Sequence, residues 1–361
     1  MIVEHVINED PESEVPIEGD YPDEVVPVEQ YTISGYGADF DVEGIVKRLI
    51  RNDIEIPDFQ RDFVWSKNKA SRFIESLLMG LPVPGIFLYR EKGSQKLRVI
   101  DGHQRLMSLR FYIEGKFKDS KRTFSLQSLD SRFNGLAYDD LPDEDRRRLN
   151  DSIIHASVIQ QEAPDEDGSS QYSIFERINT TSTPLSPQEI RSAIHGGKFN
   201  DLILTLNEFE PWRALYGNRS TRKRDEELIL RFLALHFCFD QYKPPMKSFL
   251  NTFMSGNKDL KLYSEDDIRS VFQDTVSVIL EKLDRTAFKP SGPLNAAVQD
   301  SVMVGIACRL EKGPINAEIK EEYDSLMQNK EFGNLVYSQT SHLENVRRRI
   351  HLAIEAFATV E

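Results

Sequence analysis

Apolar and polar positions change rhythm near the middle of this 361-residue chain. In the first half, short apolar runs alternate with helical stripes. Ile54-Glu55-Ile56 reads as a short strand stopped by Pro57, and residues 68–81 set Phe73, Ile74, Leu77 and Leu78 on one stripe ended by Gly80 and Pro82. Strands are expected at 86–89 and 97–100. A helix opening at Gly102 then places Leu106, Leu109 and Ile113 on one face and closes at Gly115. Further strands are expected at 123–126 and 153–160, with the loop-like FNGLAYDDLPDED between them. This mixture predicts an α+β domain over residues 31–165.

After Glu162 the stretch APDEDGSSQ reads as a turn-rich connector, and strand signals nearly vanish beyond it. Ser186-Pro187-Gln188-Glu189 is a capping box with proline at the first helical position, a strong helix start. Helices are expected at 226–239, 246–254, 265–283, 294–310 and 342–357, so residues 166–361 are predicted to form an all-α domain. Residues 1–30 carry ten acidic side chains, no lysine or arginine and little periodicity. The expectation there is a disordered acidic leader, with a DNA-mimicking or autoinhibitory arm as the alternative.

The net charge of −14 means that affinity for nucleic acid is not written into the bulk charge. A local basic track remains open at DRRRL (145–149), at RSTRKR (219–224) and at Arg347-Arg348-Arg349, although such runs are usually solvated helix faces. No apolar run approaches the roughly 20 residues of a membrane span, and the first residues lack the basic and apolar blocks of a secretory signal. A cytoplasmic protein without membrane contact is therefore expected. Cys238 and Cys308 lie far apart inside apolar helical patterns and read as reduced core residues.

Candidate chemistry concentrates in LRVIDGHQRLMSL, residues 97–109, where an apolar strand ends in an acid, turns at glycine and enters a helix. The first turn of a helix offers unpaired N–H groups and a partial positive charge, so it attracts anions. A cation there is disfavoured by about 0.3–1 kcal/mol unless something negative joins it. Arg105 thus calls for a bound anion or a nearby carboxylate. Gly102 lets a phosphate come close, and Asp101 is placed to hold a divalent cation or orient a water. The plainer alternative is that Asp101 caps the helix and pairs with Arg105.

Two further polar clusters join it. PDFQRDFVW (57–65) sets Gln60 and Arg61 between aromatics, and arginine's planar fork matches phosphate oxygens. Phe59, Phe63 and Trp65 could stack a base but are more often core. FERINTTSTPL (175–185) fits a polar loop reaching over a neighbouring site, with Glu176 or Asn179 as metal or ribose contacts; ordinary loop and capping chemistry is the alternative.

IPDFQRDFVW, LPVPGIFLY, VIDGHQRLMSL and FERINTTSTPLSPQEIR together resemble the ParB/sulfiredoxin-like N-terminal domain family of GmrSD-type, modification-dependent (type IV) restriction enzymes and related anti-phage proteins. The likeness continues through RKRDEELILRFLAL and KSFLNTFM. It implies a ParB/sulfiredoxin-like α/β domain followed by a helical domain, with a nucleoside triphosphate and Mg2+ as cofactors. It also implies nucleotide-binding and NTP-hydrolysing roles for Asp101, Gly102, Gln104 and Arg105; with the residue reading above, the expected catalytic set is Asp101, Gln104 and Arg105, the expected nucleotide contacts are Gln60, Arg61, Gly102, His103, Arg105, Arg177 and Asn179, and the metal is expected on Asp101. Family members commonly read D-G-Q-Q-R, where His103 stands here. Sulfiredoxin carries a reactive cysteine at the corresponding turn; neither 103 nor 104 is cysteine, so thiol chemistry is not expected.

The resulting expectation is a nucleotide-binding regulatory or sensing component of a bacterial anti-phage system, with weak, Mg2+-dependent NTP hydrolysis. Its partners would be DNA, directly or through a partner nuclease subunit, with homo-oligomer formation left open. No D-H-I-x-P-like segment or histidine-rich ββα signature occurs, so an HNH nuclease module is not expected in this chain. A stand-alone metal-dependent nuclease ranks lower, since only Asp101 is clearly placed. A non-catalytic DNA- or partner-binding module is the third reading.

Overall fold

The computed structural model describes residues 17–18, 32–56, 63–90, 96–118, 122–163, 186–290 and 292–360. The chain divides into two compact units, one of residues 29–166 and 170–185, the other of residues 1–28, 167–169 and 186–361. Among the described residues no helix is long and apolar enough to cross a membrane. Of the acidic leader, only β1 (Ile17–Glu18) is described; its backbone pairs in parallel with Leu294–Asn295.

The first unit is a mixed five-stranded sheet with helices. In chain order it contains β2 (Thr32–Asp41), α1 (Val42–Ile50), β3 (Ile54–Glu55), α2 (Lys67–Leu78), β4 (Ile86–Arg90), β5 (Leu97–Asp101), α3 (His103–Ile113), α4 (Asp143–Asn150) and β6 (Ile153–Ala163). The strand order is β2-β6-β4-β5-β3. β2 and β6 pair antiparallel, β6 and β4 parallel, β4 and β5 antiparallel, and β5 and β3 parallel. Ile86, Leu88, Val99, Ile154, Ala156 and Val158 meet Ile45, Ile74, Leu106 and Leu149 of the helices in one buried core. The mixed α/β character agrees with the expected fold class.

One local expectation changes. Among the described residues, 123–126 take part only in the isolated bridges Lys116↔Thr123 and Ser125↔Ala137. The DRRRL run belongs to α4, whose first turn holds Asp143, Glu144 and Asp145 where carboxylates suit the helix dipole. β2, with Gly35 and Gly37, has weak intrinsic strand character; ten residues of pairing with β6 make it a strand. It passes straight into α1, where the Asp41 side chain accepts the Gly44 amide as N-cap.

The second unit is helical: α5 (Pro187–Ile194), α6 (Lys198–Asn207), α7 (Glu210–Tyr216), α8 (Arg224–Cys238), α9 (Met246–Gly256), α10 (Glu265–Leu283), then β7 (Leu294–Asn295), α11 (Ala296–Leu310), α12 (Lys320–Gln328), α13 (Lys330–Tyr337) and α14 (Leu343–Phe357). The capping box at α5 is formed: Ser186 Oγ accepts the Glu189 amide at 3.1 Å, and Glu189 accepts the Ser186 amide at 2.5 Å. α11 is buried along most of its length. Within that core Asp300 accepts Arg231 at 2.7 Å and Arg349 at 3.1 Å, tying α8, α11 and α14 together. Cys238 and Cys308 are free and half-buried, and burial pushes the Cys308 thiol up to about 11.

Candidate functional site

Strand β5 reaches the site through an irregularity. Phe87 pairs with Asp101 but Leu88 with Val99, which leaves Ile100 as an extra residue. Such a bulge bends the strand and re-aims the side chains beyond it, here Asp101. Gly102 follows with φ of 106°, and a Cβ on it would stand 2.4 Å from Ile86 Cγ2. Both the backbone conformation and the close approach of β4 therefore require glycine at 102. The turn starts α3 with no side-chain cap and no acid in the first turn.

Arg105 folds back across this turn. Its Nη2 donates to Asp101 Oδ2 at 2.6 Å and to the Gly85 carbonyl at 3.0 Å. The two side chains are largely buried, 15% and 21% exposed. The pair expected from sequence is formed, whereas Asp101 does not cap the helix. Arg105 is also less exposed than its place at a turn suggests, because its guanidinium closes the gap between β4 and α3. Its Nε is buried with no hydrogen-bond partner among the described residues. A buried N–H left unmatched costs on the order of 1–3 kcal/mol, so an acceptor arriving there is favoured.

Gln104 faces the other way. Its Oε1 accepts the amides of Val64 at 2.9 Å and Trp65 at 3.0 Å. Those residues immediately precede Ser66, whose side chain caps α2 by accepting the Lys69 amide. One glutamine thus fastens the segment leading into α2 onto the first turn of α3, and the two helix N-termini come together. Neither has an acid in its first turn, while Lys67, Lys69, His103, Gln104 and Arg105 lie there. Gln104 is placed as a positioning residue, with its carbonyl oxygen occupied by backbone.

Phe63 is buried against Phe111 and Phe117, and Trp65 is half-buried against Phe73, so these two aromatics are core rather than base-stacking platforms. Phe59, Gln60, Arg61, Glu176, Arg177 and Asn179 lie outside the described residues. Sequence reasoning did not single out the Gly85 carbonyl or the Val64 and Trp65 amides, since backbone groups carry no residue signature. A signal for Gly85 existed in LPVPG: a Cβ there would stand 2.7 Å from the His155 carbonyl, so only glycine allows β4 to start this close to β6.

Residues 42–196 match the family model of the GmrSD restriction endonuclease N-terminal domain. Those residues belong to that family. An uncharacterized protein of Methanocaldococcus jannaschii is 29% identical over 121 residues, which cover 27% of this chain. The match spans about a fifth (21%) of that protein's length. A solved structure of a Pnob8-like ParB-N domain aligns with 91% of this chain and all of its own at 11% identity, with a TM-score of 0.22. So loose a superposition adds nothing to the fold, which stands on this chain's own strands and helices. In the GmrSD-type domain the D-G-H-Q-R turn is the junction of β5, α3 and the entry to α2.

The resemblance also implies Mg2+, and the fit can be tested on the donors present. Among the described residues no group of three or more His, Cys, Asp or Glu side chains is gathered, and the Asp101 carboxylate is already engaged by Arg105. One partly neutralised carboxylate does not make a metal site by itself. Mg2+ is commonly held by one or two carboxylates together with substrate phosphates.

Proposed function

We propose that the GmrSD-type domain binds a nucleoside triphosphate by its phosphates at the Asp101–Arg105 turn. The chain then serves as a nucleotide-responsive, weakly NTP-hydrolysing regulatory or sensing component of a DNA restriction and anti-phage system. It would act in the cytoplasm on DNA, directly or through a partner nuclease.

The observation that carries this reading is the junction built by Gln104. Two uncapped or cation-bearing helix starts meet there without a first-turn carboxylate, an arrangement that is unfavourable until an anion arrives. Gly102 offers backbone that no Cβ shields. Arg105 is held by Asp101 and Gly85 with its Nε still lacking an acceptor. Gln60, Arg61, His103, Arg177 and Asn179 are assigned to nucleotide contacts within this reading. Asp101 orients Arg105 first, and any divalent ion comes with the phosphates. Catalysis by such a site would consist of positioning and charge stabilisation.

The stand-alone nuclease has no specific observation in its favour. Two-metal nucleases converge several carboxylates, and Asp101 lacks two further ligands among the described residues.

The test is calorimetric titration of the full chain with ATP, GTP, CTP and UTP, with and without Mg2+, followed by phosphate release with and without DNA. Saturable binding of at least one nucleotide, weakened in Arg105→Lys, is expected. A folded protein that binds none of the four overturns the reading.

A further inference from the structure

The basic runs that stand out in the sequence are mostly neutralised in the structure. Arg146 pairs with Asp143, Arg148 with Glu144, Arg219 with Glu208, Arg222 with Glu189, Lys223 with Glu226 and Arg348 with Glu331, while Arg349 is buried against Asp300. A different set of cations, three from α2 and one from residue 118, lies in the sheet-containing unit. Lys118 Nζ lies 5.5 Å from the centre of the Phe63 ring, Lys67 Nζ 5.6 Å from that of Phe124, and Lys69 Nζ 4.8 Å from that of Trp65.

Two of these seats belong to one packed ring cluster. Phe117 packs edge-on against both Phe63 and Phe124, at 5.5 and 4.8 Å, and so links the seats of Lys118 and Lys67. Lys69 and Arg72 are exposed one helical turn apart on α2. None of Lys67, Lys69, Arg72 and Lys118 has a carboxylate within ion-pair distance among the described residues. Lys67 and Lys69 also occupy the first turn of α2, where a cation opposes the helix dipole. In a chain of net charge −14, these four cations, three of them seated over aromatic rings, form a local positive surface suited to several fixed negative charges.

We infer that Lys67, Lys69, Arg72 and Lys118 form a docking surface for the phosphate backbone of duplex DNA. The rings beneath are buried or half-buried edge-packed core, which leaves the ammonium groups and not a base-stacking platform to touch the DNA. Binding through such a surface is sequence-independent and steeply salt-dependent. The inference rests on the DNA-directed part of the proposed function, and its Lys67 and Lys69 stand at the α2 start that also borders the nucleotide site. It assigns DNA docking to the face beside α2 and not to the arginine runs.

The experiment is fluorescence anisotropy of a labelled duplex with the full chain over a series of salt concentrations. It compares wild type with the triple variant Lys67→Gln/Lys69→Gln/Lys118→Gln and with the control Arg146→Gln/Arg148→Gln/Arg348→Gln. The lysine variant is expected to bind about tenfold or more weakly. The slope of log affinity against log salt should fall by about 2 to 3, near 0.9 for each phosphate that is no longer neutralised. A Lys→Arg triple variant should retain both affinity and slope. Wild-type binding with the same affinity and slope in the Lys→Gln variant overturns this surface while leaving the DNA reading intact. No DNA binding by wild type even at the lowest salt overturns both. Loss of nucleotide binding with DNA binding unchanged would assign the lysines to the nucleotide site and overturn the inference.

Discussion

The side-chain oxygen of Gln104 accepts the backbone amide of Val64 at 2.9 Å, across 40 residues of sequence, and the adjacent Trp65 amide at 3.0 Å. This is how the α2 entry segment is held against the D-G-H-Q-R turn. Gln104→Ala should release both amides at a cost of about 1–2 kcal/mol. Hydrogen exchange at Val64 and Trp65 should accelerate, and nucleotide affinity should fall. Gln104→Glu keeps the acceptor and should restore protection. Unchanged exchange in the alanine variant would remove the positioning role.

Gly102 and Ile86 form a steric pair. Gly102→Ala places a methyl group where Ile86 Cγ2 already lies and at a φ of 106°, so a loss of about 2 kcal/mol or more is expected. Combining it with Ile86→Ala should cost less than the sum of the two single changes, because the cavity admits the new methyl. Urea unfolding of the four proteins measures the coupling, and strict additivity would contradict it.

Asp101 and Arg105 should separate by function. Asp101→Asn retains an oxygen that can accept from Arg105 Nη2, so nucleotide binding should persist while phosphate release declines. Arg105→Ala strips partners from the buried Asp101 carboxylate and the Gly85 carbonyl, and should destabilise the fold as well as weaken binding. Arg105→Lys is therefore the cleaner probe. Equal loss of binding in Asp101→Asn and Arg105→Lys would make Asp101 part of the binding surface itself.

The buried Asp300 carboxylate is the shared acceptor of Arg231 and Arg349. Asp300→Ala leaves two guanidinium groups in the core without their counter-charge, and about 3–5 kcal/mol of stability should be lost. Replacing Arg348, exposed beside Glu331, with Ala should leave stability nearly unchanged. Chemical denaturation distinguishes the two cases.

Burial pushes the pKa of His236 below its ordinary 6.5, with Glu311 at 3.4 Å acting in the opposite direction. The unfolded chain then takes up this proton at a higher pH than the folded one. The contribution of His236 is fully present above pH 6.5 and is lost as pH falls toward and through the depressed folded value. In thermal melts, the difference between His236→Gln and wild type should shift in favour of the variant between pH 7.5 and 5.5, while a constant difference would refute the assignment.

Local chemistry made much of this protein legible in its sequence. Apolar periodicity located α2, α3, α8, α10 and α14 within a few residues, and the Ser186 capping box fixed the start of α5, because those signals act within one or two helical turns. The Asp101–Arg105 pair was visible for the same reason, the two residues standing one turn apart. What depended on distant partners was not legible. β2 becomes a strand through β6 and the Ile100 bulge is defined only against β4. The Val64 and Trp65 amides that occupy the Gln104 side-chain oxygen lie about 40 residues away in sequence. Charge showed the same division: arginine runs prominent in one dimension find carboxylates in three, while Lys118 joins Lys67 on the Phe63–Phe117–Phe124 rings only after folding. Spacing along the chain specifies helices and turns, but the energy of a polar or charged group depends on what the fold brings within a few ångströms of it.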